Sequence, residues 1–367
     1  MIAIIKYFLY LGATGFGGPL ALIQQMRQHY VEKEKTISGV EFDQAFTLIK
    51  AMPGPIAFQM AVYCSQHLKG RLAGIAAGIA LLIPSFFLML LAGVGHHLLT
   101  ENLIINKILI GFQYAVAAVI LYSLKSFFKS YNRRPAFWLI FVIAGVFYGA
   151  GLLPEPAIII GFGITCVLLN NFSSTNRNYF PSLAFLAIDW ELIWKIFKVC
   201  SYAGAIVFGT GLAMLPVLQN QFVVQHHWLS LQTFNYGVTF GQMTPGPVTI
   251  TATFLGYKVA GVTGALAATI GIFIMPLIHM ITWFPKALKW LSRQTWIEDF
   301  ILGATAAVVG VLVITVFQMY KNSMSLFNFW FIFCMSFVLL VVQPKLPIIQ
   351  VIFIGGLTNL LIGFSTM

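Results

Sequence analysis

Long apolar runs, rather than alternating apolar and polar faces, dominate this chain. A helix needs about 20 apolar residues to cross the hydrocarbon of a bilayer. Runs near that length cover 3–26, 72–95, 103–124, 136–153 and 156–170, then 193–218, 263–284, 299–319, 326–342 and 347–364. Two stretches break the pattern. Residues 38–68 and 230–260 carry polar side chains and a central Pro-Gly-Pro, which no straight spanning helix holds. A re-entrant hairpin, entering and leaving on one side, fits each of them.

The runs also repeat. An offset of 192 residues aligns Tyr10 with Tyr202, Gly12 with Gly204, Phe16-Gly17 with Phe208-Gly209 and Pro53-Gly54-Pro55 with Pro245-Gly246-Pro247. The same ungapped offset pairs Pro84 with Pro276, Gly111 with Gly303, Trp138 with Trp330 and Gly163 with Gly355. Apolar composition produces chance Leu and Ile matches, but recurring Pro and Trp are harder to reach by chance. The pattern predicts an all-α polytopic membrane protein made of two five-helix halves, each with a re-entrant Pro-Gly-Pro hairpin. Residues 1–175 form the first half, 176–192 a cytoplasmic linker and 193–367 the second half.

Composition agrees. Only 8% of the 367 residues are charged and 59% are hydrophobic, against about 25% charged in an ordinary soluble domain. That excludes a soluble enzyme, a disordered chain and a secreted disulfide scaffold. Cys64, Cys166, Cys200 and Cys334 lie far apart with no CxxC spacing, so they read as small core residues. The net charge of +11 reads as Lys and Arg held in cytoplasmic loops rather than as a nucleic-acid footprint. With five spans per half the second half is inverted. One face then receives most of the Lys and Arg, and the other only Lys6, Lys107, Lys258 and Lys321. The positive-inside rule accepts that split and places both termini outside. Opposite charge bias in matched loops is the mark of an inverted-repeat transporter.

Two constellations recur as candidate chemistry. Phe16-Gly17-Gly18-Pro19 is matched by Phe208-Gly209-Thr210-Gly211. Such a sequence breaks a helix near mid-membrane and frees backbone groups that must face protein, water or a ligand; a packing kink is the plainer reading. Met52-Pro53-Gly54-Pro55 is matched by Thr244-Pro245-Gly246-Pro247. The second proline suits a first helical turn, so helices starting there aim positive dipole ends at the membrane centre, as anion sites do; the plainer reading is a tight turn. Gln59, Thr239, Gln242, Thr244, Thr249 and Thr251 supply neutral polar groups nearby. Lys50 is the exception, and its repeat partner is Gln242. A lysine at mid-membrane costs about 2.5–3.5 kcal/mol on insertion scales, which a bound anion would offset. Snorkelling, or pairing with Asp43, would also account for it.

Other signals are weaker. His96-His97 and His226-His227 are expected in loops, with no carboxylate or Cys cluster to complete a metal site. Glu298 and Asp299 open a span, where acidic residues suit the helix N-terminus. Gly70, Gly74 and Gly78, like Ala260, Gly264 and Ala268, make small-residue faces for close helix packing. GxSxG, HExxH and P-loop patterns are absent, so hydrolase and ATPase readings lack residues.

Taken together, Phe16-Gly17-Gly18-Pro19, Met52-Pro53-Gly54-Pro55, Gln59 and Ala61-Val62-Tyr63 resemble the first half of the chromate ion transporter family. Gln242-Met243-Thr244-Pro245-Gly246-Pro247 and Ala252-Thr253-Phe254-Leu255-Gly256-Tyr257 resemble its second half. Lys50 stands where that family usually carries Gln, as at Gln242. The resemblance implies a multi-pass carrier of the bacterial inner membrane that exports chromate. Sulfate or an organic acid is the alternative cargo, and an anion channel or intramembrane enzyme is the alternative class. The expected partners are the oxyanion, the lipid bilayer and a second copy in a homodimer, with no nucleic acid, metal or cofactor.

Overall fold

The computed structural model describes residues 1–50, 52–125, 128, 131, 134–153, 155–170, 190–206, 211–284, 296–320, 326–344 and 346–365. Among these the protein is helical, with no strand. The first half comprises α1 (Ile2–Thr14), α2 (Gly18–Arg27), α3 (Gly39–Lys50), α4 (Ile56–Lys69), α5 (Arg71–Glu101), α6 (Leu103–Ser123), α7 (Pro135–Gly149) and α8 (Glu155–Asn170). The second comprises α9 (Trp190–Ile206), α10 (Met214–Gln219), α11 (Leu231–Met243), α12 (Thr251–Thr282), α13 (Trp296–Tyr320), α14 (Leu326–Val342) and α15 (Ile348–Ser365). Arg71–Glu101, Leu103–Ser123, Val248–Thr282 and Glu298–Tyr320 are long and apolar enough to cross a membrane, and several shorter apolar helices accompany them. Every pair of repeat-related elements recurs, so the two-half architecture read from the sequence stands.

One expected span is different. The run 3–26 is two helices broken at Gly15–Gly17, where Gly17 has φ 104°. In a straight helix Tyr7 and Gln25 would stand ~27 Å apart. Instead the Tyr7 hydroxyl donates to the Gln25 carbonyl at 3.2 Å, and its ring stacks on His29 at 3.8 Å. The chain therefore turns back at the Gly-Gly-Pro, and α1–α2 is itself a helical hairpin. Consecutive glycines permit the reversal because no Cβ opposes the left-handed conformation. Met1 and Lys6 thereby come to the end that carries Arg27, which corrects the expected placement of the first terminus on the other face.

Helices α3 and α4 pack together, as do α11 and α12, so each Pro-Gly-Pro joins the two legs of a helical hairpin. In the second, Gly241 lies against Thr251 and Gly237 against Phe254. Helix α12 does not start at Pro247. A 3-10 turn over Val248–Ile250 comes first, and a kink at Ala260 and Gly261 separates the hairpin leg from the span. The 96–102 segment is not a loop either. Nothing in it breaks a helix, so α5 runs through His96 and His97 to Glu101, and Asn102 caps α6.

Packing divides the molecule into a centre and two flanks. Helices α1, α4, α5, α9 and α12 pack on one another at the centre; α6 packs on α14 and α15, and α13 on α7 and α8. Each flank thus combines helices from both halves. Glycines set these close approaches: Gly111 abuts Gly355, and Gly303 abuts Phe162. The inversion is visible in the ends. Helix α6 begins beside α11, where Asn106 accepts from the Tyr236 hydroxyl at 2.6 Å, and the Asn235 amide donates to the Met319 carbonyl at the end of α13. Its counterpart α13 begins at the opposite end, where Arg134 reaches Asp299 at 3.7 Å and Glu298 at 4.0 Å.

Candidate functional site

Four helical runs begin near the middle of the molecule, one at each hairpin tip. Helix α2 starts at Gly18 behind a left-handed Gly17. Helix α4 starts at Ile56, with Pro55 as its cap. A 3-10 turn at Gly211 leads into α10, and the turn at Val248 leads into α12. Each start carries unpaired backbone N–H groups and roughly half a unit of positive charge.

The tips of different halves touch. The Gly246 N–H donates to the Gly15 carbonyl at 3.0 Å. A Cβ on Gly246 would meet Ser85 Oγ at 3.0 Å, beside Pro84 in the first half. The mirror contact is tighter: a Cβ on Gly54 would meet the Pro276 ring at 2.9 Å and Gln59 Nε2 at 2.8 Å. Both glycines hold positive φ, 125° at Gly54 and 97° at Gly246, a conformation other residues rarely adopt. The Pro-Gly-Pro turns are therefore backbone junctions between the halves.

A cavity of about 340 Å³ opens beside these tips. Gly17, Gly18, Pro19 and Leu20 form one wall, and Leu212, Gln242 and Val248 come from the two second-half tips. Tyr122, Ser123 and Lys125 at the end of α6, with Ile348 at the start of α15, close it from the flank. The lining is mostly apolar, and its polar side chains are Tyr122, Ser123, Lys125 and Gln242. Lys125 is cationic, with Nζ 5.3 Å from the Tyr122 ring centroid, and Gln242 Nε2 is buried without a partner. A buried donor left unpaired is costly, so this wall suits an acceptor-rich, anionic guest.

The expected site residues thus separate. Gly17, Gly18, Pro19 and Gln242 meet at the cavity, with Pro247 next to Val248. Gly211 is buried against Thr249, and Thr244 donates to the Phe240 carbonyl at 2.7 Å. Gly209 and Thr210 lie outside the described residues. Pro53, Gly54, Pro55 and Gln59 are not among the residues lining this cavity. Gln59, fully buried, spends its amide on the Pro53 carbonyl at 2.8 Å while its Oε1 lacks a partner. Lys50 is exposed, with Nζ 4.1 Å from the Phe46 ring centroid. Asp43 takes Arg27 instead, at 3.3 Å. Among the residues the sequence did not single out as a site are Tyr122, Ser123 and Lys125. Lys125 was legible only as a loop charge, because nothing local ties the end of α6 to the glycine tip. His96 is buried against Tyr236 and Phe254, away from that cavity.

Known proteins give a consistent comparison. A family model described as chromate transporter matches residues 2–168 and again 194–360. The chromate transport protein of Cupriavidus metallidurans is 31% identical over 340 residues, 87% of this chain and 82% of that protein. A probable chromate transport protein of Synechococcus elongatus is 30% identical over 84% of this chain and 83% of its own length. The chromate transport protein of Pseudomonas aeruginosa is 25% identical over 83% and 77%. No solved structure matches.

Proposed function

The chain belongs to the chromate transporter family, and on that premise we propose that it is a secondary transporter exporting chromate across the bacterial inner membrane. The observation that carries this reading is the convergence of helix starts on a cavity lined by Lys125 and by the unpaired Gln242 amide. Such a surface replaces the water shell of a tetrahedral dianion with fixed donors. Losing that shell is the main cost of moving the ion into the bilayer.

In this reading the halves, 1–175 and 193–367, present related sites to the two faces of the membrane. Gly17, Gly18, Pro19, Gln242 and the Thr244–Pro247 turn serve one face. Gly209, Thr210, Gly211, Lys50, Gln59 and the Pro53–Pro55 turn serve the other. Outward movement agrees with the electrical driving force. An inside-negative potential favours expelling a dianion by about 4.6 kcal/mol per 100 mV, at about 2.3 per elementary charge. The excess of Lys and Arg on the face shared by Arg27, Arg71 and Arg134 supports that face being cytoplasmic.

Purified protein in proteoliposomes, loaded with labelled chromate and challenged with unlabelled chromate, sulfate and phosphate, tests the reading. Chromate exchange that phosphate does not match is expected. Stronger competition by sulfate than by chromate would replace chromate as the cargo, and no exchange of any oxyanion would end the transport reading.

A further inference from the structure

A second cavity, of about 350 Å³, lies on the opposite face from Lys125, and its chemistry is acidic. Glu155, the first residue of α8, is only 4% exposed there. Asn220 donates its amide to the Glu155 carboxyl at 3.3 Å. Gln219, 6% exposed, also lines the cavity, and its Oε1 has no partner. Tyr148 from α7 and Gln318 from α13 complete the polar wall. Tyr148 and, from α9, Tyr202 are the titratable groups facing the carboxyl. Among the described residues, no Lys, Arg or His pairs with it.

Building on the transport reading above, we propose that Glu155 is a proton site that couples transport to the pH difference across the membrane. An acid screened from water with no cation beside it favours its neutral form. The placement connects the proton to the substrate. Asn220 follows α10, and Leu212, eight residues earlier on the same helical run, lines the anion cavity. The Asn220–Glu155 bond joins the start of the flank helix α8 to the helical run from Gly211 to Gln225. Deprotonation makes that bond charge-assisted and tightens it, while protonation leaves an ordinary neutral bond. The proton therefore changes how firmly the helical run from Gly211 to Gln225 is held, and Leu212 near the start of that run lines the anion cavity.

The first measurement is an infrared titration of the purified protein, which needs no transport. The wild type shows a protonated-carboxyl band that Glu155→Gln lacks. Asn220→Leu removes a donor to the charged form, so it moves the midpoint of that band up by about one pH unit. In proteoliposomes, Glu155→Gln keeps chromate exchange within about twofold of wild type, while acceleration by an imposed pH gradient disappears. Identical titrations of wild type and Glu155→Gln overturn the proposal, as does a full gradient response in Glu155→Gln. Should Glu155→Gln fail to insert, the Asn220→Leu midpoint decides, and an unmoved midpoint overturns it. Absence of exchange in the wild type would sink the transport reading alone, since the titration stands without it.

Discussion

At one face of the protein Lys125 and Gln242 border a cavity beside the tip of a helical hairpin. At the other, Glu155 and Gln219 border one of similar volume beside the root of another. The repeat relates their walls. Helix α6 and its counterpart α13 each close one cavity at their ends, and α8 and its counterpart α15 each open one at their starts. The backbone plan is shared while the charge is reversed. Duplication kept the glycines and prolines that shape the chain and let the side chains on the walls diverge. Function in this architecture therefore depends on the difference between the halves as much as on their likeness.

The sharpest way to break the comparison is topological. Arg71 and Thr263 occupy equivalent exposed positions, each at the start of the span that follows a Pro-Gly-Pro hairpin. Cysteines placed there label from opposite faces of the membrane, with no overlap in reagent access. Labelling of both from the same face would remove the inversion and every mirror relation built on it.

Next in size are the turn glycines. Gly54→Val and Gly246→Val combine positive-φ strain, about 1–3 kcal/mol, with a clash, and both abolish transport while leaving insertion intact. Alanine separates the halves. At Gly54 the new Cβ meets a proline ring, which cannot rotate away, whereas at Gly246 it meets a serine hydroxyl, which can. Gly54→Ala is expected to be nearly inactive, and Gly246→Ala to keep measurable exchange. Equal activities in the two variants would mean that the junctions are equivalent in solution.

The cavity donors come third. Lys125→Gln removes a charged donor worth about 1.5–3 kcal/mol, so chromate affinity falls roughly 10- to 100-fold. Gln242→Leu removes a neutral donor and costs about tenfold or less. Anion-dependent thermal stabilisation of the purified variants measures both, and loss of the order between them would displace the site from this cavity.

How much of this was legible follows from what each signal encodes. Pro53–Pro55 and Pro245–Pro247 announce a helix break whatever surrounds them, so the hairpins and the 192-residue repeat were readable. Gly17-Gly18-Pro19 announces a break but not its angle, since hydropathy is the same for a kinked span and a reversal. The reversal became visible only through Tyr7 on Gln25 and His29. Flank composition was hidden as well, because apolar helices such as α14 and α15 carry no mark of which half they pack on. Pairing with Asp43, seven residues away, was one account of Lys50, but Arg27 arrives there from a hairpin whose return leg the sequence did not reveal.

The smallest expected effect belongs to Lys50, the cation that replaces the repeat's glutamine. It is exposed and rests on the Phe46 ring rather than lining the Lys125 cavity. Its repeat position nevertheless corresponds to Gln242, and the proposed transport reading assigns it to the anion's route on the other face. A solvated cation contributes about 1 kcal/mol or less to an ionic contact, or roughly fivefold in affinity. Lys50→Gln, which makes the two halves alike, should weaken chromate stabilisation by about that factor and leave folding unchanged, while Lys50→Glu should be more severe because it repels the dianion. Screening sharpens the test. Added salt shrinks the difference between wild type and Lys50→Gln, since an exposed charge is screened within about 8 Å at physiological ionic strength. It shrinks the larger Lys125→Gln effect as well, because that lysine is also exposed. Identical stabilisation of wild type and Lys50→Gln at low salt would assign Lys50 to the Phe46 contact alone and confine anion recognition to the Lys125 face.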